Sequence, residues 1–335
     1  MAGSKALRKV QLGLEGSSAG TIQAATNVLI GEGTLKDNRE IVNQMGDVGS
    51  FLGNQNTRTA KLGGELAFEQ ECSFEQFPYV LNASIEAKAG VKDGAGSAYI
   101  YAYSAPTTAP LSPAPYTLEG GDNSGAEVMN YCYVPEWTLS GAGGEPLKLS
   151  SLWKGRTVAP QAFTAAIAVP TVEAVLFSRG QMWIDTSSDA IGTTVRSNTL
   201  LGMELKYNAG IKEVWTADGL TSPTFSFIKM TAPEIMLDIT FEHDAISIAE
   251  KVLWRSETAQ RIRLKFTGST VTTTGTSYDN KVLIVDLYGK WITFDKLDEM
   301  DGNDIIKGTF KAMYDSTGTS LCCDITCVNE LSALL

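Results

Sequence analysis

Histidine is nearly absent: His243 is the only one in 335 residues. Cations are few, 27 Lys plus Arg against 38 Asp plus Glu, for a formal net charge of -11. No apolar run approaches the roughly 20 residues that a helix needs to cross a bilayer; the longest, Ala162 to Val169, contains Thr164. Cysteines number five, an odd count that suits a reducing compartment better than a disulfide framework.

Each shortage removes a class of function. A generic nucleic-acid binder needs net cations to displace counterions from phosphate, and so does a protein held on an anionic membrane. One histidine leaves a hydrolytic triad a single possible base. Behind Lys5, Arg8 and Lys9 no apolar run follows, so no secretory leader is expected. Without one the sequon Asn82-Ala83-Ser84 carries no weight. The expectation is a chain made and folded in a cytoplasm, with no membrane insertion.

What the chain does have is apolar residues, 43% against 19% charged, enough for a substantial core. At roughly 150 residues per domain its length suggests about two domains. Period-two alternation dominates. Ile262, Leu264 and Phe266 alternate with Arg261, Arg263 and Lys265, as in a half-buried antiparallel strand. Leu237 to Phe241 alternates likewise, and Lys281 to Leu287 is a nearly continuous apolar run, expected of a strand covered on both faces. Thr21 to Ile30 also reads as strand. Asp218-Gly219, Asp301-Gly302 and Gly120-Gly121-Asp122 are turn signals.

Helical spacing is clear once: Ala245, Ile248, Ala249, Val252 and Leu253 form an apolar side, with Asp244 as N-cap. A second short helix is predicted from Ser73, with Gln76 at capping-box spacing, Phe74, Phe77 and Leu81 on its apolar side, and Pro78 limiting its length. Two long loops are expected. Ser104 to Val128 carries Pro106, Pro110, Pro113 and Pro115, and Arg156 to Pro170 reads as an interdomain crossing.

The chain repeats itself. Glu65 to Glu71 aligns with Asp238 to Asp244 at an offset of 173, and each precedes a short helix. After each helix a further strand is expected, from Asn82 and from Arg261. Val28 to Gly33 resembles Val175 to Gly180, and Glu136 to Leu139 resembles Lys290 to Thr293. Four blocks in one order point to duplication. The reading is a mainly β chain of two like domains, residues 1–160 with the loop 104–128, and 171–335, joined by a linker over 161–170.

No motif for chemistry holds. Gly16-Ser17-Ser18-Ala19-Gly20 has the spacing of a nucleophile elbow but no helix to follow it. His243 aligns with Gln70, which suits a polar loop. Cys322, Cys323 and Cys327 lie too close along one strand to surround a metal. In Asp298 to Asp304 the position that needs the first calcium ligand is Leu297. The cations Arg261, Arg263 and Lys265 are expected to pair with acids on a neighbouring strand. No catalytic, cofactor-binding or metal-binding residue is assigned, and no cofactor is expected. A duplicated, acidic, strand-rich chain without a site points to assembly.

A family resemblance sharpens this. Pro233 to Asp244, Lys251-Val252-Leu253-Trp254-Arg255, Arg261 to Gly268, Leu287-Tyr288-Gly289-Lys290-Trp291, and Met300 to Asp304 with Gly308-Thr309-Phe310 resemble the second half of the major tail tube proteins of long, non-contractile-tailed bacteriophages. Gly31 to Leu35 with Gly63-Gly64-Glu65-Leu66 is a looser match in the first half. The resemblance covers most of the chain, best from about Leu200 to Asn329, and least over Ser104 to Val128.

It implies a tail-tube fold, duplicated β-sandwich domains that form a barrel with their neighbours, each flanked by one short helix. It implies a structural virion protein, not an enzyme, that polymerises into stacked rings as the conduit for genome delivery. Its implied partners are further copies of itself, the tape measure protein in the lumen, tail terminator and distal tail proteins, and DNA in transient passage. It would be synthesised and assembled in the host cytoplasm and reside in the virion tail. Three duplicated chains would give a trimeric, pseudo-sixfold ring. The loop 104–128 would contact a neighbouring subunit or ring, so that deleting Pro106 to Gly121 would leave folded subunits unable to stack. The bore would be net acidic or neutral, with Arg261, Arg263 and Lys265 away from it. The alternative is a carbohydrate-binding or hydrolytic β-sandwich protein of a phage or cell surface, with Trp137, Trp153 or Trp291 as a sugar platform.

Overall fold

Alternating burial along Gly64–Glu71, Lys148–Gly155, Leu200–Asn208 and Glu234–Glu242 marks the half-buried strands of a mainly β protein. The computed structural model describes residues 3–16, 19–43, 56–217, 219, 222–316 and 318–334. Ser17 and Ser18 of the elbow-like motif, and Asp218 of one turn signal, lie outside the described residues. In chain order the first strands are β1 (Lys9–Leu14), β2 (Asn27–Leu29), β3 (Lys36–Asp37), β4 (Glu40–Asn43), β5 (Thr57–Lys61) and β6 (Gly64–Glu71). After helix α1 (Phe77–Ser84) come β7 (Val91–Lys92), β8 (Tyr99–Ser104), β9 (Tyr116–Gly121), β10 (Ala126–Ala142), β11 (Lys148–Gly155) and β12 (Thr157–Pro160). Then follow β13 (Gly180–Thr186), β14 (Leu200–Asn208), β15 (Ile211–Val214), β16 (Phe227–Met230), β17 (Glu234–Glu242) and helix α2 (Ala245–Arg255). The last strands are β18 (Gln260–Thr270), β19 (Asn280–Phe294), β20 (Asp298–Met300), β21 (Asn303–Ala312) and β22 (Cys323–Asn329).

Two long strands organise the rest. β10 pairs through its first part with β9 and β12, and through its last part with β11 and β14. β19 repeats the arrangement, with β18 and β22 along its first part and β21 along its last. Around β10 the chain of ladders runs β1-β9-β10-β12 on one layer and β6-β11-β10 on the other. Around β19 it runs β13-β18-β19-β22 and β17-β21-β19. A strand that bends from one sheet into the other needs a local break in its ladder. Register shifts occur between Met129 and Cys132 and between Tyr133 and Glu136 on β10, and between Trp291 and Thr293 on β19.

The aromatic centre of the core lies where the two sets meet. Trp137 of β10 stacks on Tyr207 of β14, centroids 5.1 Å apart and planes at 5°, and Phe77 of α1 meets Trp137 edge-on at 5.3 Å. Tyr116 packs between Tyr79 and Trp153. Offset and edge-on aromatic pairs add about 0.5–1.5 kcal/mol each to their burial.

Both predicted helices are present, with differences. The Gln76 amide donates to Ser73 Oγ at 3.2 Å as the spacing predicts, but the helix begins only at Phe77, with Pro78 in its first turn. Every residue of α1 is buried. In α2 the Asp244 cap forms: Asp244 Oδ1 accepts from the Ser247 amide at 2.9 Å, and Ser247 Oγ accepts from the Asp244 amide at 3.0 Å. Replacing this cap, Asp244→Ala, should cost about 1 kcal/mol, read as a lower urea midpoint at unchanged slope. The orientation of α2 reverses the expectation. Ile248 and Val252 are 51% and 54% exposed, while Ser247 and Glu250 are buried. Glu250 can turn inward because its carboxylate accepts from Arg196 at 3.1 Å, Gln260 at 2.8 Å and Trp291 Nε1 at 3.2 Å.

Several sequence expectations need correction. Asn82 lies in α1 and starts no strand. β7 and β8 follow instead, and β8 pairs with β22 of the second set. The proline-rich loop is shorter than 104–128, since β9 and the start of β10 fall inside it. Its extended part is tied down: the Ala114 amide donates to the Asn82 carbonyl and the Glu15 amide to the Pro115 carbonyl. Deleting Pro106 to Gly121 would remove β9, the partner of both β1 and β10, so folded subunits are not expected from it. Arg156 to Pro170 is no free crossing, because β12 pairs with β10 and Thr164 donates from both its amide and Oγ1 to Glu119. Within Thr21 to Ile30 only β2 is strand. Val28 follows β1 whereas Val175 precedes β13, so that block of the repeat does not occupy like places.

The 173-residue offset also fails in the sheets. Trp137 lies opposite Ser151 and Ser151 opposite Phe68, while Trp291 lies opposite Phe310 and Phe310 opposite Leu237. Equating the tryptophans therefore puts Phe68 level with Leu237, not Phe241. Slips of even residue number keep the same side chains facing inward, so hydrophobic pattern alone does not separate these registers.

Candidate assembly surface

Four strands of each set meet edge to edge in one layer, in the order β3-β6-β11-β10-β14-β17-β21-β19. The joint between sets is a full ladder from Glu136 opposite Asn208 to Ala142 opposite Gly202. Eighteen linked strands wrap into a barrel-like wall, yet this row of eight is open at its two ends. Among the described residues β3 is paired only with β6, and the last part of β19 only with β21. Open edges carry unpaired backbone donors and acceptors and invite another strand. Apolar side chains gather at the β19 end: Ile292, Leu297 and Met300 are 42%, 46% and 42% exposed.

One face of this row packs on the core and the other is free. The free face carries the carboxylates Glu65, Glu69, Glu71, Glu136, Glu204, Glu234, Asp238 and Glu242, against Lys36, Lys148, Lys154, Lys206, Lys290, Lys307 and Lys311. It has no arginine. Two of its lysines are tied across strands, Lys206 to Asp238 at 2.8 Å and Lys311 to Glu234 at 3.2 Å, and Lys206 also reaches Glu204 of its own strand at 3.2 Å. The hydrogen bond that Lys206 donates to Asp238 holds its ammonium above the ordinary lysine range. A shallow groove of about 770 Å³ runs along this face past Ser140, Glu204, Asp238, Thr240 and Lys307.

The residues weighed for chemistry are scattered. His243 is half-buried at the end of β17, and its Nδ1 has no partner among the described residues. Cys323 and Cys327 are buried on β22, Cys322 is half-buried, and burial pushes all three thiols up, away from reactivity. Among the described residues no His, Cys, Asp and Glu cluster could hold a metal. Asp301 and Gly302, both at positive φ, make the β20–β21 turn. Trp137, Trp153 and Trp291 are 2%, 0% and 3% exposed, so none can serve as a sugar platform.

The cationic row meets the expectation of cross-strand pairing at Arg263, while Arg261 finds its acid, Asp315, beyond the end of β21. Arg263 donates from Nε and Nη2 to both oxygens of Asp286, its ladder partner on β19, at 2.7 and 2.6 Å. Arg261 pairs with Asp315 at 3.0 Å and donates to the Asp189 carbonyl at 2.6 Å. Both belong to the β13-β18-β19-β22 layer, not to the free face of the eight-strand row.

Sequence reasoning missed the free edges and the exposed side of α2. The signal for the first was the apolar cluster Ile292, Leu297, Met300 on a chain otherwise polar in its turns. No helix of the described residues is long and apolar enough to cross a membrane. No protein-family model and no curated protein matches the chain.

Proposed function

We propose that this chain is a structural subunit, not an enzyme, that joins head to tail through the two ends of its eight-strand row into closed rings. Three chains would contribute six like units to a trimeric, pseudo-sixfold ring, and rings would stack into a bacteriophage tail tube. The observation that carries this is the β10–β14 ladder. It joins the two sets inside one chain, and the equivalent strand of the second set, the end of β19, is left open. Closing a ring removes both open edges at once.

The charge of the free face supports its role as the bore. Eight carboxylates against seven lysines, with no arginine, leave a passing duplex no net cationic surface to adhere to, since each phosphate contact from a cation adds favourable binding. Repulsion screened within about 8 Å at physiological salt would centre the duplex without excluding it. A tape measure protein would fill the bore before DNA, and terminator and distal tail proteins would cap the ends.

Negative-stain images and cryo-EM class averages of the purified chain at high concentration test the reading. Rings or tubes with three chains per ring are the expected result. Six chains per ring would overturn the trimer, and particles that stay monomeric at all concentrations would overturn assembly itself.

A further inference from the structure

Each set of strands carries a two-stranded arm at the same point of its fold. β15–β16 leaves the sheet between β14 and β17, just after Asn208 opposite Glu234. β4–β5 leaves between β3 and β6, just after Asp37 opposite Gly64. Among the described residues only the first arm folds onto a sheet; the second touches the first arm at its base, where the Leu62 amide donates to the Pro223 carbonyl and Lys61 lies 5.7 Å from the Trp215 ring. β15–β16 folds back over the first set, burying Ile211, Phe225 and Met230. Phe225 meets Tyr131 at 5.2 Å and Tyr133 at 6.2 Å, and the Arg156 guanidinium lies 5.1 Å from its ring. Arg156 also donates to the Ser226 carbonyl at 2.6 Å, and Tyr133 OH to Glu213 at 2.9 Å.

β4–β5 is exposed at every described residue of both strands, with Ile41 at 59% and Val42 at 47%. On the second set, the place of the Tyr131–Tyr133–Arg156 seat is taken by Tyr288 on β19 and by Met313 and Tyr314 just after β21. The Met313 amide ties these together by donating to the Tyr288 carbonyl. Met313 and Tyr314 are 45% and 44% exposed. Among the described residues one chain thus holds an arm whose Ile41 and Val42 are uncovered and a seat that no arm covers.

We propose that the β4–β5 arm of one copy lies across the Tyr288–Met313–Tyr314 surface of the neighbouring copy, as β15–β16 lies across the first set within the chain. This rests on the head-to-tail reading above. The occupant is a second copy because the intramolecular joint already displays the same pairing of arm and seat. The contact would lock adjacent chains beyond the strand edge itself. Surfaces left apolar on both partners suit this, since burial is favourable in proportion to the apolar area removed from water.

Cross-linking tests it on full-length chains in a Cys322→Ser background, the other native cysteines being buried. Chains carrying Ile41→Cys or Val42→Cys, which point to opposite sides of the arm, are mixed with separately purified Met313→Cys chains. After assembly a short bismaleimide is added. At least one mixture should give a covalent dimer roughly tenfold above the Cys322→Ser parent alone. Tyr314→Cys replaces Met313→Cys if that variant melts below the parent. Rings or tubes in the same samples without any cross-chain product would overturn the arm exchange and leave the assembly reading standing. A parent that never assembles would overturn both.

Discussion

Ile292→Lys is expected to abolish ring formation while leaving the subunit folded. Ile292 lies on the last part of β19, is 42% exposed, and has no strand on its outer side among the described residues. An exposed substitution of this kind changes stability within about 0.5 kcal/mol. A lysine on an open edge, however, must lose its hydration if a neighbouring strand pairs there, which is how natural sheets keep edges from joining. Sedimentation velocity should show monomers at concentrations where the parent forms rings, with the two melting curves superimposed. Tubes of parental length from this variant would mean that the end of β19 is not the joint.

Glu250→Ala should be the most damaging single change to the fold. The carboxylate is fully buried and accepts from three donors on three different segments, Arg196, Gln260 and Trp291. Removing it strands the buried Gln260 and Trp291 donors, at about 1–3 kcal/mol for each group. Arg196 is a quarter exposed and recovers part of its loss from water. A total of about 3 kcal/mol or more is expected. Urea unfolding followed by tryptophan fluorescence would measure it, and a loss below about 1 kcal/mol would show that water takes over the carboxylate's role. Because Trp291 starts the open edge, the same variant should also assemble poorly at temperatures where it remains folded.

The two changes act on neighbouring residues at opposite ends of one argument. Ile292 is free of the core and exposed for a partner. Trp291, one residue before it, is buried and fixed by Glu250 of α2. A helix that turned its apolar side inward, as the spacing of Ile248 and Val252 suggests, would leave Trp291 without a polar partner and the edge without support.

Strand content, both helices, the Asp244 cap and the pairing of Arg263 with an acid on a neighbouring strand were legible in the sequence, because alternation, capping spacing and an alternating row of charge are local signals. Burial of Lys281 to Leu287 followed from its continuous apolar run, and Val282 to Val285 are indeed buried in succession. Such features depend on residues a few positions apart, and the backbone geometry of strand and helix alone relates them.

Other features were decided only by the tertiary structure. β8 leaves its own set to pair with β22, the proline-rich stretch is anchored at Ala114 and Pro115, and the registers of the two sets slip against the repeat. Each depends on which strands meet across long separations, and a strand's inner face looks the same in several registers. The inward turn of Glu250 depended on donors from Arg196, Gln260 and Trp291 converging on one buried oxygen pair, which no helical periodicity encodes. Composition and alternation determined that this chain is an acidic, mainly β protein. The open edges and the exposed β4–β5 arm of the described residues came from the packing of one half against the other, because a strand or a hairpin is free only relative to what the rest of the chain has already covered.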